Sequence, residues 1–194
     1  MASPLNGRNS DKESNMAVRM SSGLRRGRSH VEMRPTSART LEAVFDILQA
    51  EIPETRVLDL YAGIGSYGVL ALKRGADVAV FVDKSREAEK RIKRALQQYH
   101  LEDRSVVHCE DVHHFLHNAP RFTDPFNIIF ADPPYEKVVI SEMLEILLDS
   151  KLLAPQGLIV FEHSKRQAPP DVVGLKLRKS RVFGDTTVSI WDAV

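Results

Sequence analysis

The sequence contains only one cysteine, Cys109, among its 194 residues. An intrachain disulfide is therefore impossible, and no Cys-x-x-Cys zinc motif can exist. No apolar run approaches the ~20 residues that are needed to span a bilayer. The first residues lack the apolar segment of a secretory signal. We therefore expect a cytoplasmic protein with no membrane segment, and we expect a monomer.

Neither sign of charge dominates the chain, which has 27 Lys and Arg, 26 Asp and Glu and a formal net charge of +1. The distribution is nevertheless uneven. Residues 1–40 hold eight basic and three acidic side chains, whereas the remainder holds 19 and 23. A basic arm on a mildly acidic body indicates a polyanionic partner. We predict a disordered tail over 1–15, a basic β-hairpin arm over 16–36 and an α/β domain over 37–194.

Apolar segments alternate with amphipathic segments along the α/β domain. This alternation predicts a mostly parallel, Rossmann-like sheet with helices on both faces. Ligands of such sheets bind at the carboxyl ends of the strands. The predicted strands are 57–60, 78–82, 105–109, 126–131 and 157–162, with a closing pair at 175–178 and 186–191. The predicted helices are 37–50, one ending near 73, 85–99, 112–118 and 138–149.

A glycine-rich turn, Asp59-Leu-Tyr-Ala-Gly-Ile-Gly65, follows the first predicted strand. Gly63 and Gly65 would let the backbone turn sharply and approach a ligand. NAD-binding folds share such turns, but Asp59 would repel a pyrophosphate and attract the positive groups of S-adenosylmethionine. We therefore predict that this turn, including Tyr61, binds S-adenosylmethionine; a tight turn without a ligand is the alternative.

Two further strand ends carry carboxylates. Asp83 lies 20 residues after Gly63, where a carboxylate can accept both ribose hydroxyls of an adenosine, although it could instead cap the next helix. Asp111 could accept a hydrogen bond from the adenine amino group, while Val112 packs on the adenine ring. An ordinary helix cap at Asp111 is the competing interpretation.

The tetrapeptide Asp132-Pro-Pro-Tyr135 follows the most apolar predicted strand. The prolines stiffen the turn and lack N–H groups, so the Asp132 carboxylate and the Pro133 carbonyl can both face one amino group. By accepting hydrogen bonds from both N–H groups, these two oxygens would free the lone pair of an aromatic amine for attack. Tyr135 could stack on a flipped base. We therefore predict that Asp132, Pro133 and Tyr135 are catalytic; a rigid loop with a buried tyrosine is the alternative.

These motifs form an ordered set that resembles the bacterial small-subunit (16S) rRNA guanine-N2-methyltransferases of the D type, over roughly residues 16–192. The resemblance implies a seven-stranded methyltransferase fold, S-adenosylmethionine as donor and S-adenosylhomocysteine as product, and a guanine N2 acceptor in rRNA or a small-subunit particle. It rests on these segments: 23–28, Arg34-Pro35-Thr36, 58–63, 71–76, Phe81-Val82-Asp83, 129–135, Glu162-His163 and Phe183-Gly-Asp185.

Two departures from the family pattern stand out. Asp83 occupies a position where the family usually has Glu, and the N-terminal hairpin matches only loosely. Two other functions remain open, a DNA adenine-N6 methyltransferase and a non-catalytic RNA-binding assembly factor. We expect no metal, because methyl transfer from a sulfonium needs none. Phosphate contacts are expected from the basic arm, through Arg19, Arg25, Arg26, Arg28 and Arg34.

The basic arm generates the first testable prediction. Replacing Arg25, Arg26 and Arg28 by Ala should weaken RNA binding and flatten its salt dependence, because each lost phosphate contact removes roughly 0.7–0.9 from the slope of log affinity against log salt. The comparison variant replaces Lys90, Arg91 and Arg94 by Ala. These residues lie on the predicted helix 85–99, which is the competing site for RNA. RNA binding is measured at several salt concentrations. A slope that changes only in the helix variant would move the docking surface to that helix.

Overall fold

The computed structural model describes residues 35–119, 124–134 and 138–194. The predicted tail lies outside the described residues, as does the predicted hairpin apart from its last two positions. Those two positions, residues 35 and 36, begin the first helix.

Five α-helices and seven strands are present in the described residues. The helices are α1 (Pro35–Ile47), α2 (Ser66–Lys73), α3 (Arg86–Tyr99), α4 (Val112–Asn118) and α5 (Ile140–Asp149). A 3-10 turn, Glu102–Arg104, precedes β3. The strands are β1 (Arg56–Leu60), β2 (Val78–Val82), β3 (Ser105–His108), β4 (Phe126–Ala131), β5 (Leu153–Ser164), β6 (Leu175–Phe183) and β7 (Thr186–Ala193).

The strands form one sheet in the order β3-β2-β1-β4-β5-β7-β6. The first five are parallel, and β7 runs antiparallel to both β5 and β6. The chain moves outward from β1 in one direction and then from β4 in the other. The carboxyl ends of β1 and β4 therefore border the crevice where such sheets bind ligands. The predicted Rossmann-like, seven-stranded fold is confirmed.

Each face of the sheet has its own apolar core. On one face, α1, α2 and α3 pack around buried side chains such as Phe45, Phe81 and Phe130; this is the first core. On the opposite face, α4 and α5 pack around a second core that includes Phe126, Phe161 and Trp191. Strand residues alternate between the two cores because successive side chains point to opposite faces. Within the described residues, no helix has the length and apolarity to cross a membrane.

Several predicted boundaries were wrong. β5 was predicted over 157–162 but covers Leu153–Ser164, and β6 extends to Phe183 rather than 178. Antiparallel pairing with β7 continues to Ser164 in β5 and to Phe183 in β6. The earlier start of β5 comes from the pairing of Leu153 with Phe126 of β4. α5 begins at Ile140, two residues after the predicted start.

Candidate active site

The glycine turn after β1 has the left-handed backbone that its sequence predicts. Gly63 and Gly65 have φ of 55° and 78°, and Tyr61 has φ of 57°. The nearest atom to a Cβ added at Gly63 would lie 3.9 Å away, so one side of this turn is open. A Cβ at Gly68 would instead lie 2.3 Å from Phe81 Cε1. Gly68 therefore serves the packing of α2 on β2, whereas Gly63 leaves room at the turn.

Asp83 ties this turn to β2. Its Oδ2 accepts the Gly63 N–H at 2.9 Å, and its Oδ1 accepts the Ser85 N–H at 2.8 Å. Ser85 itself caps α3 through its hydroxyl. Each carboxylate oxygen can accept a second hydrogen bond. Asp83 is thus held in place with acceptor capacity remaining, and its contact with a ribose stays a prediction.

Asp59 lies beneath the glycine turn and is buried. Its Oδ2 accepts the Gly68 N–H at 2.9 Å. Burial raises the pKa of Asp59 to about 8, against the lowering effect of that hydrogen bond, and the charges of Asp132, Asp83 and Glu162 raise it further. Near neutral pH the buried carboxyl therefore holds its proton in the absence of a cation. Its role in cofactor binding stays a prediction.

Asp111, which follows β3, caps a helix and lies near the Tyr61 side chain, which follows β1. Asp111 caps α4 by accepting the N–H groups of His113 and His114. Val112 is 2% exposed and packs in the second core. The Tyr61 hydroxyl is buried, and no described residue bonds to it. Burial and the charge of Asp111 raise the pKa of Tyr61 to about 12, so its hydroxyl is a donor without a partner in the described part of the chain.

Asp132 and Pro133 follow β4 directly, at the crevice beside the glycine turn. The Asp132 N–H donates to the Leu60 carbonyl at 3.5 Å, which joins the ends of β4 and β1. The Asp132 side chain reaches solvent, whereas Pro133 is buried. Partial removal of the Asp132 carboxyl from water, together with the charge of Glu162, raises its pKa to about 7. Tyr135 and the five predicted arginine contacts (19, 25, 26, 28 and 34) lie outside the described residues.

Two residues to which the sequence reasoning gave no role, Tyr67 and Glu162, adjoin this site. The Tyr67 hydroxyl, on α2, donates a hydrogen bond to Glu162 Oε1, on β5. Burial raises the pKa of Glu162, while this hydrogen bond lowers it. The signal that could have pointed to Glu162 is its position directly after the apolar run 158–161 of β5.

Two histidines near β3, His108 and His114, share one acidic partner. Glu110 lies between His108 and His114, with an Nδ1 to carboxylate distance of 3.3 Å to the first and 2.6 Å to the second. Across the described ranges, no three His, Cys, Asp or Glu form a group that could hold a metal. A separate groove of about 340 Å³ between α4 and α5 contains none of the predicted site residues.

The chain matches one known protein family over most of its length. Residues 18–192 match the family described as "Conserved hypothetical protein 95". The chain belongs to this family. Its members include the small-subunit rRNA methyltransferases D, so the resemblance drawn from the sequence motifs is confirmed.

Individual members of the family cover most of the chain. It is 32% identical over 180 residues to YlbH of Bacillus subtilis, named as a candidate rRNA methyltransferase, covering 90% of this chain and 98% of that one. It is 29% identical over 160 residues to the ribosomal RNA small subunit methyltransferase D of Escherichia coli K12, with coverage of 82% and 79%. The solved structure of the candidate methyltransferase yhhF from Escherichia coli superimposes with a TM-score of 0.74 at 26% identity, covering 83% and 87%.

The raised pKa of Asp59 predicts a specific pH dependence of stability. In the unfolded chain Asp59 ionises near its ordinary pKa of 3.8, whereas the folded protein keeps the proton up to about pH 8. Its contribution to stability is therefore complete below about pH 4 and is lost as the pH rises through about 8. Asp59→Asn, whose amide oxygen can still accept the Gly68 N–H, should reduce the loss of unfolding free energy between pH 5 and 8 by at least about 1 kcal/mol.

Urea denaturation at pH 5, 6.5 and 8 measures this effect. The control is Asp171→Asn, at an exposed loop position, which should leave the wild-type pH dependence unchanged. An Asp59→Asn protein that loses as much stability as wild type over this range would contradict the assignment of a protonated Asp59.

Proposed function

We propose that this protein transfers a methyl group from S-adenosylmethionine to the exocyclic N2 amine of a guanine in small-subunit rRNA. The observation that carries the proposal is the position of Asp132 and Pro133, which follow β4 at the crevice beside the open glycine turn of β1. Membership of a family that includes small-subunit rRNA methyltransferases supports the nucleic-acid class of the substrate. The guanine N2 position rests on the motif resemblance.

The residues around the glycine turn fit S-adenosylmethionine. Gly63 leaves open space for close approach of a ligand to the backbone. Asp83 retains acceptor capacity for ribose hydroxyls, and the Tyr61 hydroxyl is a buried donor for which the described residues provide no acceptor. Asp59 adds a carboxyl that a nearby positive charge would favour in its ionised form. The donor, when bound, supplies an electrophilic methyl group on a sulfonium.

The reaction asks the protein mainly to position and polarise an amine. Asp132 and the Pro133 carbonyl would each accept one N–H of the target amine, which shifts its nitrogen toward tetrahedral geometry and exposes the lone pair. Tyr135 would stack on the flipped base. The hydrogen bond from the Asp132 N–H to Leu60 holds the turn against β1, so the amine is aimed at the cofactor side of the crevice. No covalent enzyme intermediate is required.

The two alternative functions have less support. A DNA adenine-N6 methyltransferase shares the amine chemistry but normally adds a target-recognition domain, and the described residues form a single sheet with its helices and no second domain. A non-catalytic assembly factor would have no need for the acidic groups gathered around Asp132.

Methyl transfer to defined nucleic acids tests the proposal. The wild-type protein is incubated with tritiated S-adenosylmethionine and with rRNA, small-subunit particles or DNA from cells that lack the protein. We expect label in small-subunit rRNA, recovered as N2-methylguanosine after nucleoside analysis. Label recovered as N6-methyladenosine, or confined to DNA, would overturn the proposal.

Variants of the two key carboxylates should separate chemistry from cofactor binding. Asp132→Ala should reduce methyl transfer by at least about 100-fold at saturating substrate, while the affinity for S-adenosylhomocysteine stays nearly unchanged because Asp132 contacts the amine. Asp83→Ala should weaken that affinity first. Calorimetry measures binding, with NAD as the ligand that should not bind. Near-normal turnover in the Asp132 variant would remove it from the catalytic site.

A further inference from the structure

Glu162 lies beside Asp132 at the carboxyl ends of the strands, and the mechanism above gives it no role. β4 and β5 run parallel, with Ala131 paired to Phe161. Asp132 and Glu162 therefore each lie one residue beyond this pair, on neighbouring chain segments. β5 continues beyond this point and pairs Glu162 with Val188 of β7. The backbone of Glu162 is thus held by β7, one residue beyond the last pair of β5 with β4, as suits a residue that must be placed accurately.

The side chains of Asp132 and Glu162 belong to the same side of the sheet. Phe130 and Val160 lie in the first core, and Asp132 and Glu162 each follow two residues later, a spacing that returns a strand side chain to the same face. Tyr67, on α2, contacts Glu162 from this face. The charges of Glu162 and of Asp132 both raise the pKa of Tyr67, in addition to its burial, so the three groups are neighbours.

Tyr67 fixes the orientation of the Glu162 carboxylate. Its ring stacks on Phe130 at 4.8 Å and on Phe45 at 6.2 Å between centroids. A buried hydroxyl requires an acceptor, and here the acceptor is Glu162 Oε1. Within the part of the chain that the structure describes, no donor bonds to Oε2. Because Glu162 is only half-buried, its second oxygen is free to face the crevice.

A guanine presents two kinds of donor on one edge, the N2 amine and the adjacent N1–H. Adenine and 2-aminopurine have an amine as well, but their N1 is an acceptor. Resting on the function proposed above, we propose that Glu162, oriented by Tyr67, accepts the N1–H of the target base and thereby selects guanine. Asp132 accepts a hydrogen bond from the N2 amine, and Glu162 accepts one from the neighbouring N1–H. An acceptor N1 would leave the carboxylate facing a lone pair, which is unfavourable.

Glu162→Gln provides a directional test, because Tyr67 constrains which end of the amide faces the base. The Tyr67 hydroxyl should bond to the amide oxygen, so the amide NH₂ faces the crevice. That group clashes electrostatically with N1–H of guanine but complements N1 of 2-aminopurine. We expect kcat/KM for guanine to fall by about ten- to hundred-fold and the ratio of guanine to 2-aminopurine methylation to fall with it.

The substrates are small subunits reconstituted on rRNA in which a synthetic segment carries guanine or 2-aminopurine at the position that the wild-type protein methylates. The matched control is Glu142→Gln, on the exposed surface of α5, which should behave as wild type. Thermal unfolding and S-adenosylhomocysteine binding establish that each variant is folded. A folded Glu162→Gln protein with an unchanged base ratio, or with equal losses on both bases, would overturn the inference.

Tyr67→Phe tests the positioning role separately, since it keeps the aromatic stack and removes only the hydroxyl. In the Tyr67→Phe, Glu162→Gln double variant the amide is free to turn its oxygen toward the base. Guanine methylation should therefore recover by about threefold or more relative to Glu162→Gln alone. A merely structural role predicts a further loss instead. Formation of N2-methylguanosine by the wild-type protein tests the proposed function independently, so the two ideas can fail separately.

Discussion

The parallel register of β2, β1, β4 and β5 is the constraint on which the site depends. It brings four acidic side chains together at the carboxyl ends of these strands. They are Asp83, Asp59, Asp132 and Glu162. Carboxylates that are close together and removed from water resist ionisation, which is why the pKa values of Asp59 and Asp132 are raised. Two apolar cores hold these strands in place despite this unfavourable clustering.

The same clustering would suit the positively charged cofactor proposed above. Groups whose pKa values are displaced by burial and by a like charge gather at functional sites more often than elsewhere. A sulfonium and an ammonium would favour the ionised carboxylates that burial and mutual repulsion disfavour. Binding of the proposed cofactor would thus offset the electrostatic cost of assembling the acids, and would be linked to their ionisation.

Local patterns predicted the parallel part of the fold well. β2 and β4 occupy the predicted residues, because short apolar runs between polar turns define strands that are covered on both faces. The ends of β5 and β6 could not be predicted, since they depend on pairing with β4 and β7, which other parts of the chain supply. Three of the strand-end acids, Asp59, Asp83 and Asp132, were likewise singled out as site residues from the sequence, whereas Glu162 was not. The Tyr67–Glu162 contact could not be predicted, because 95 residues separate its partners and only the packing of α2 brings them together.

The two outer strands of the sheet affect how readily the protein aggregates at high concentration. β6 forms one edge of the sheet, and its ladder with β7 is interrupted between Leu177 and Lys179. The other edge, β3, has four residues. Exposed edges invite strands of other molecules to add to a sheet and so start aggregation, and charge, irregularity and brevity each oppose this. With a net charge of only +1, the whole molecule has little overall repulsion from its copies. Protection against aggregation therefore depends on local repulsion between β6 edges, through Lys176, Lys179 and Arg181, whereas the charge of Arg178 is paired with Glu51 and Asp192.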